Sequence, residues 1–173
     1  MNIIEIKPNQ LITLNDYPVH RADKLESYFN KCRQGSELAL IPVIKKEIAK
    51  KYLDPELREE FEQFEKENPF AEYFMLDGSH RTTALNLTHH NIQIIIYETD
   101  EDIIRAKEMM SSGKVLENDT LNHNLEENCK MLNKHFKQKK SFMTVEEKTK
   151  RMVEEQLVSQ NMIQEYTTTK NQQ

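Results

Sequence analysis

The chain has 173 residues, of which 37% are hydrophobic and 31% charged, and its net charge is −5. This length suits one domain with a modest core and exposed helices, plus an extension. The negative charge excludes a basic surface over the whole molecule, so DNA binding would have to rest on a local patch.

The cysteines and the amino terminus predict a reduced, cytoplasmic protein. Cys32 and Cys129 stand far apart, without a Cys-x-x-Cys pair or a metal-binding spacing. Residues 1–5 lack the basic and then apolar pattern of a signal peptide. No apolar run approaches about 18 residues, so we expect no membrane partner and no membrane span.

The first part of the chain predicts short strands around one helix. Ile3–Ile6 is rich in β-branched residues, and Leu11–Leu14 is a second short apolar run. Residues 22–34 carry apolar side chains at helical spacing. Leu38–Ile44 is apolar and β-prone, and its Pro42 predicts a strand that lies at a sheet edge or begins late.

An acidic helix is predicted next. Asp54 is a good N-cap residue and Pro55 suits the first helical position. The helix has an apolar face, and its remaining surface is strongly acidic through Glu56, Glu59, Glu60, Glu62, Glu65 and Glu67. We favour a solvated helix face as the interpretation of this charge over a docking surface for a partner.

From residue 73 the pattern is strand, turn, helix, strand and helix. Tyr73–Leu76 is a short apolar run, and the helix that follows it begins near Ser79. Ile92–Tyr97 is β-branched almost throughout and is the clearest strand in the chain. Residues 99–112 predict a further helix with Ile104 among its buried side chains.

Residues 119–166 predict helices almost to the end of the chain. Lys137–Lys140 is a small basic cluster, and Thr144 with Glu147 forms a capping box that begins the last helix. The apolar stripe of that helix is sparse. Packing on a partner is therefore expected for it, and a homodimer through these helices is left open.

The stretch Asp77–Arg81 carries a carboxylate, a hydroxyl, an imidazole and a guanidinium within five residues. A strand, a glycine turn and a helix start point backbone N–H groups at a common spot, which attracts anions. Asp77 as a turn former and Ser79 as an N-cap are the simpler interpretations. His80 and Arg81, however, oppose the helix dipole, and such a cationic pair favours a bound phosphate or nucleotide.

The order of the elements and the sequence Asp77-Gly78-Ser79-His80-Arg81, followed by Ala84, resemble the ParB/sulfiredoxin superfamily over about residues 1–117. The resemblance implies an α+β fold in which a small mixed sheet with flanking helices forms a nucleotide-binding domain, residues 1–117. A C-terminal helical extension, residues 118–173, would follow it. The resemblance also implies that Gly78, Ser79 and their neighbours in the motif bind nucleotide phosphates.

Two branches of this superfamily differ from the chain at the motif. Sulfiredoxins carry cysteine where Ser79 stands, and a hydroxyl cannot replace a low-pKa thiolate in sulfinic acid reduction. Partitioning ParB proteins carry Gly-Glu-Arg-Arg there, have a later Glu-Asn-x-x-Arg box, and bind CTP. Glu117 and Asn118 resemble the start of that second nucleotide box, although Leu121 replaces its arginine. A nucleotide-dependent DNA-binding or assembly protein without kinase activity is therefore the alternative function.

Free serine kinases carry Asp-Gly-x-His-Arg, and the chain resembles them most at this motif. The resemblance implies a phosphotransferase that uses ATP or ADP with Mg²⁺ and acts on a free amino acid or a similar small molecule. Asp16 would correspond to the family glutamate that activates the acceptor hydroxyl. Arg21 would meet a carboxylate or phosphate of the substrate.

The motif residues would take the roles that phosphoryl transfer requires. Asp77 would hold Mg²⁺ or orient His80. His80 would contact the transferred phosphoryl group, and Arg81 would stabilise the negative charge that builds on it. Thr82 or Thr83 would add a hydroxyl contact to the phosphates.

Overall fold

The fold is α+β, with one five-stranded mixed sheet and eight α-helices in the ranges that the computed structural model describes, residues 2–14, 17–19, 21–139 and 141–172. The strands are β1 (Asn2–Ile6), β2 (Leu11–Ile12), β3 (Ile41–Lys45), β4 (Tyr73–Met75) and β5 (Ile92–Ile96). The helices are α1 (Ala22–Arg33), α2 (Lys46–Ala49), α3 (Pro55–Glu67), α4 (Ser79–Leu87), α5 (Asp100–Glu108), α6 (Leu125–Lys139), α7 (Val145–Glu154) and α8 (Gln160–Gln172). No helix within those ranges is long and apolar enough to cross a membrane.

The sheet has the strand order β1-β5-β3-β4-β2, so β3 lies at its centre. Of the two alternatives predicted from Pro42, the edge position is therefore wrong, whereas the late start is confirmed, because β3 begins only at Ile41. β3 runs parallel to β5 and antiparallel to β4, and its ladder with β4 begins only at the pair Val43 and Met75. The Pro42 carbonyl accepts from the Leu76 N–H at 2.9 Å. The missing N–H of Pro42 thus falls beyond the end of the β4 ladder, where a proline is tolerated in a central strand.

Most of the predicted helices are present, but α5 differs from its prediction in length and in its buried side. It ends at Glu108 and continues as a 3-10 helix over Met109–Ser112. Ile103 is buried, whereas Ile104 is 59% exposed. Consecutive residues point about 100° apart around a helix, and only the Ile103 side of α5 faces the core.

An aromatic cluster joins α6 to the sheet. The ring of Phe136 lies 5.6 Å from that of Phe74 on β4 and 4.7 Å from that of Phe142. Phe61 of α3 packs against Phe74 at 5.1 Å. α6 thus extends the core of the sheet, since its buried residues and those of the strands belong to the same cluster.

The apolar side of the last two helices is buried within the chain. Met152 of α7 and Met162 and Tyr166 of α8 pack in one cluster with Phe29 of α1 and Ala84 of α4. The stripe that the sequence assigned to a partner therefore covers α1 and α4. A homodimer that used this stripe as its interface would require α7 and α8 to leave the position described here.

We expect Phe136→Ala to lower the free energy of unfolding by about 3–5 kcal/mol, because it opens a cavity between α6 and the sheet. Phe70→Ala is the matched control, since Phe70 is 66% exposed and its loss should cost less than about 0.5 kcal/mol. Urea unfolding followed by circular dichroism measures both. Equal midpoints for the two variants would contradict the packing of α6 on β4.

Candidate functional site

The turn between β4 and α4 depends on a glycine. Gly78 has a left-handed backbone with φ of 110°, which side chains rarely adopt. A Cβ at this position would lie 2.5 Å from Cδ1 of the buried Ile41. Glycine is therefore favoured here by the backbone and by the contact with β3, in addition to the phosphate binding that the resemblance implies.

α4 begins with N–H groups that have no partner inside the helix. Its first backbone hydrogen bond runs from the Thr82 N–H to the Gly78 carbonyl at 2.9 Å, so the N–H groups of Ser79, His80 and Arg81 precede it. Gly78 is the N-cap, and Ser79 is the first helical residue. The interpretation of Ser79 as an N-cap is therefore wrong.

Arg81 is a structural residue in this geometry. Its side chain is 4% exposed, and Nη2 pairs with Asp77 Oδ2 at 2.9 Å. Nη1 donates to the carbonyls of Ala39 and Leu40 at 3.0 and 2.9 Å. Burial lowers the pKa of Arg81 below its ordinary value, while Asp77 opposes that effect. The guanidinium thus connects the segment before β3 to the start of α4. Its Nη1 and Nη2 groups already have partners within the protein, so the residue is not reserved for a phosphate.

The two threonines of the motif face the helix itself. The Thr82 hydroxyl donates to the Gly78 and Ser79 carbonyls at 3.0 and 3.2 Å. The Thr83 hydroxyl donates to the Ser79 carbonyl at 2.8 Å. Both side chains are buried. The expected hydroxyl contact to phosphate is therefore not supported for either residue, because Ser and Thr hydroxyls inside helices bond to preceding carbonyls.

His80 meets the segment that precedes α1. Its Nε2 accepts from the Arg21 N–H at 3.3 Å, which leaves the ring proton of neutral His80 on Nδ1. The Arg21 side chain points elsewhere, since it is exposed and pairs with Asp23 at 2.8 Å. Its expected substrate contact has no counterpart in this arrangement. Asp16, the predicted proton acceptor, lies outside the described residues.

A cavity of about 350 Å³ lies over the start of α4. It is lined by Leu14, Lys24, Tyr28, Asp77, Gly78, Ser79, His80, Arg81, Leu116 and Glu117. We call it the α4 cavity. Five residues of the sequence motif and Glu117 of the predicted second nucleotide box therefore line one space.

Lys24 and Tyr28 were missed by the sequence interpretation. They stand four residues apart, so both lie on one side of α1, and this side reaches the α4 cavity. The spacing was visible in the sequence. The packing of α1 against α4, which places both residues at the α4 cavity, could not be seen in the sequence.

The two residues of the second box have different positions. Asn118 caps a 3-10 helix, because its Oδ1 accepts from the Thr120 N–H at 3.0 Å. Its Nδ2 donates to the Leu116 carbonyl at 2.9 Å. Glu117 is exposed and lines the α4 cavity. Only Glu117 is therefore placed to meet a ligand there.

No cluster of three His, Cys, Asp or Glu side chains that could hold a metal ion occurs in the described ranges. His89 bonds to the Tyr166 carbonyl at 2.7 Å, and His90 bonds to the Thr88 hydroxyl at 2.7 Å. Both cysteines are buried free thiols, and burial raises the pKa of Cys129 to about 11.

The basic cluster of α6 is partly neutralised. Lys137 Nζ lies 2.9 Å from Asp54 Oδ2, although both groups are mainly exposed. Asp54 therefore bridges α3 to α6, and its side chain does not make the predicted N-cap bond. Lys140 lies outside the described residues. This pairing weakens the local patch on which the DNA-binding alternative depends.

Comparisons of this chain with protein-family models, with curated proteins and with solved structures found no match. The resemblance to the ParB/sulfiredoxin superfamily therefore rests on the motif and the order of the elements. The function that follows from it is a proposal.

Arg81→Met should lower the free energy of unfolding by about 2–4 kcal/mol without any ligand, because buried carbonyls lose their donor and Asp77 loses its partner. Arg105→Met is the matched control, since Arg105 forms an exposed (i, i+4) pair with Glu101. That change should cost less than about 0.5 kcal/mol. Chemical unfolding of the two variants tests this, and a wild-type midpoint for Arg81→Met would refute the structural role.

Proposed function

We propose that the α4 cavity binds the phosphates of a nucleotide, and that the protein is a phosphotransferase acting on a small molecule. ATP or ADP would be the phosphate donor. A ParB/sulfiredoxin-like domain is the finer fold that we propose with it. The DNA-binding alternative has no observation that favours it over this function.

One observation carries the proposal. Ser79 is 7% exposed and lines the α4 cavity, and its hydroxyl, which is not sealed inside the protein, has no hydrogen-bond partner in the described part of the chain. Buried hydroxyls are normally bonded, and an unpaired one facing a cavity indicates a ligand or ordered water. The hydroxyl stands beside the N–H groups that begin α4. A phosphate oxygen would satisfy both kinds of donor.

The charges around Ser79 also support an anion. Lys24 of α1 lines the cavity with a cationic side chain, and His80 lines it as well. Arg81 and Asp77 neutralise each other. Because the helix dipole adds positive potential, the cavity attracts phosphate despite the carboxylate of Glu117.

Tyr28 favours a nucleotide over a bare phosphate. It is the aromatic residue of the α4 cavity, and its half-buried ring lies on α1 one turn from Lys24. Nucleobases stack on such rings, and a contact of this kind tolerates different bases. We therefore propose the Tyr28 side of the cavity for the base, which leaves ATP, ADP and CTP as candidates.

Mg²⁺ fits the residues of the α4 cavity. Magnesium bound with phosphates needs only one or two carboxylates from the protein. Asp77 and Glu117 are the two acidic residues that line the cavity, and the Asp77 side chain is 41% exposed although one of its oxygens meets Arg81. When bound, the ion would supply charge neutralisation on the phosphate oxygens.

The chemistry that we propose is transfer of a phosphoryl group by positioning and charge. An acceptor oxygen forms a bond to the terminal phosphorus while the bond to the bridging oxygen breaks, and the shortened nucleotide leaves with that oxygen. The first N–H groups of α4 donate to the phosphoryl oxygens. The acceptor proton goes to Asp16, in the role that the resemblance implies.

Ser79→Ala should weaken ATP or ADP binding by about three- to tenfold, because a hydrogen bond to a charged oxygen is lost. Lys24→Gln should weaken it by about tenfold and reduce its dependence on salt. Calorimetric titration of the purified protein with ATP, ADP and CTP, each with Mg²⁺, measures these affinities. Neither change should move the unfolding midpoint, since Lys24 is exposed and Ser79 makes no side-chain bond that is lost.

Lys51→Gln is the control, because Lys51 is an exposed lysine away from the α4 cavity. Its affinity for nucleotide should equal that of the wild type. The same samples, incubated with ATP or ADP and a panel of acceptors that includes L-serine, should release the shortened nucleotide only when an acceptor is present. Absence of binding for all three nucleotides would remove the proposal.

A further inference from the structure

A second cavity, of about 470 Å³, adjoins the α4 cavity and has a different chemistry. The two share Leu14, Asp77 and Glu117 as a common wall. The rest of the second cavity is lined by Leu76, Asn118, Asp119, Thr120, Asn128, Met131, Leu132 and His135. We call it the α6 cavity, because α6 supplies several of its residues.

Asn128 points a fixed hydrogen-bond acceptor into the α6 cavity. The residue is 1% exposed, and its Nδ2 donates to the carbonyls of Thr120 and Asn124, both at 3.1 Å. Those two bonds fix the orientation of the amide. Its Oδ1 accepts from no group of the described residues, and it is not sealed inside the protein. A buried acceptor left open in this way indicates a ligand that donates a hydrogen bond.

Carboxylates supply further acceptors. Glu117 and Asp119 line the α6 cavity, and neither forms a salt bridge within the described part of the chain. Asp77 is the third carboxylate, and Arg81 already balances its charge. His135 is the one side chain of the lining that can carry positive charge. The α6 cavity is therefore rich in acceptors and negative in charge.

The remaining wall is apolar. Leu132 is buried, while Leu76 and Met131 are more accessible. With Leu14 from the shared wall they form a surface against which a short carbon skeleton can pack. The combination of apolar wall and convergent acceptors suits a small organic cation rather than a bare metal ion.

We propose that the α6 cavity binds the ammonium group of a small amine that lacks a carboxylate, such as an amino alcohol or an amino sugar. This inference rests on the proposed function, in which the amine is the phosphate acceptor beside the nucleotide. A primary ammonium group has three donors and no acceptor, which matches Asn128 Oδ1 and the carboxylate of Asp119, while Glu117 in the shared wall remains for Mg²⁺. A free amino acid would bring a further carboxylate into a negative cavity, where like charges repel.

Two matched pairs of ligands test the effects of the carboxylate and of the ammonium group separately. Ethanolamine and L-serine differ by a carboxylate, and D-glucosamine and D-glucose differ by an ammonium group in place of a hydroxyl. Each is titrated calorimetrically into the full-length protein, with and without Mg²⁺ and a non-hydrolysable ATP analogue. We expect ethanolamine to bind about tenfold tighter than L-serine, and D-glucosamine about tenfold tighter than D-glucose.

Asp119→Asn should weaken ethanolamine and D-glucosamine by about five- to tenfold. It should leave nucleotide affinity unchanged, because Asp119 lines only the α6 cavity. Glu59→Gln is the control for a lost negative charge, since Glu59 is exposed on α3. That control should leave the affinities for both classes of ligand at wild-type values.

The outcomes distinguish this inference from the function on which it rests. L-serine binding as tightly as ethanolamine, or full amine affinity in Asp119→Asn, would overturn the amine assignment while nucleotide binding stands. Failure of every nucleotide to bind, with the amine preference intact, would overturn the phosphotransferase and keep the amine site. Amines that bind no better than D-glucose would overturn the inference outright.

Discussion

The geometry of the candidate site depends on one buried guanidinium. Arg81 sits where its charge must be paired, and it is paired by Asp77 and by the carbonyls of Ala39 and Leu40. These bonds connect the segment before β3, the end of β4 and the first turn of α4. Gly78 then brings the backbone of the turn against Ile41, where no side chain fits. The positions of the motif residues that line the α4 cavity follow from this junction.

This junction changes the meaning of the positive charges in the motif. The sequence argument held that two cations at a helix start require an anion, because they oppose the dipole. Arg81 finds its anion in Asp77, four residues earlier on the chain. The argument for an external anion therefore depends on Ser79, His80 and Lys24. Lys24 belongs to a different helix, α1. Charge balance at a helix start can only be judged after burial is known.

The sequence predicted what depends on local pattern. Period and β-branching located the strands and most helices, and the stretch Asp77–Arg81 remains a prediction for the centre of the candidate site. Tertiary packing decided the rest. Pro42 lies in a central strand because β4 ends before reaching it, a fact about a partner strand rather than about proline. Ile104 is exposed because the core lies on one side of a short helix.

Asn128 shows that tertiary packing also decides which residues form the candidate site. Nothing in its sequence context marks it, because one of its two donor bonds reaches the Thr120 carbonyl, which a 3-10 helix brings within 3.1 Å. The α6 cavity is assembled from four separate parts of the chain, which no local pattern connects.

The two cavities differ in polarity, and in the wall between them Asp77 is paired with Arg81 while Glu117 keeps its charge. Hydrogen-bond donors for a phosphate lie at the start of α4, while hydrogen-bond acceptors converge near α6. The Asp77–Arg81 pair stands at the boundary and contributes little net charge to either side. A ligand pair that fills both cavities would therefore be anionic at one end and cationic at the other. Each charge would sit next to groups of opposite sign, and the reacting oxygen and phosphorus would meet at the shared wall. Such an arrangement selects an acceptor by its charge before any chemistry begins.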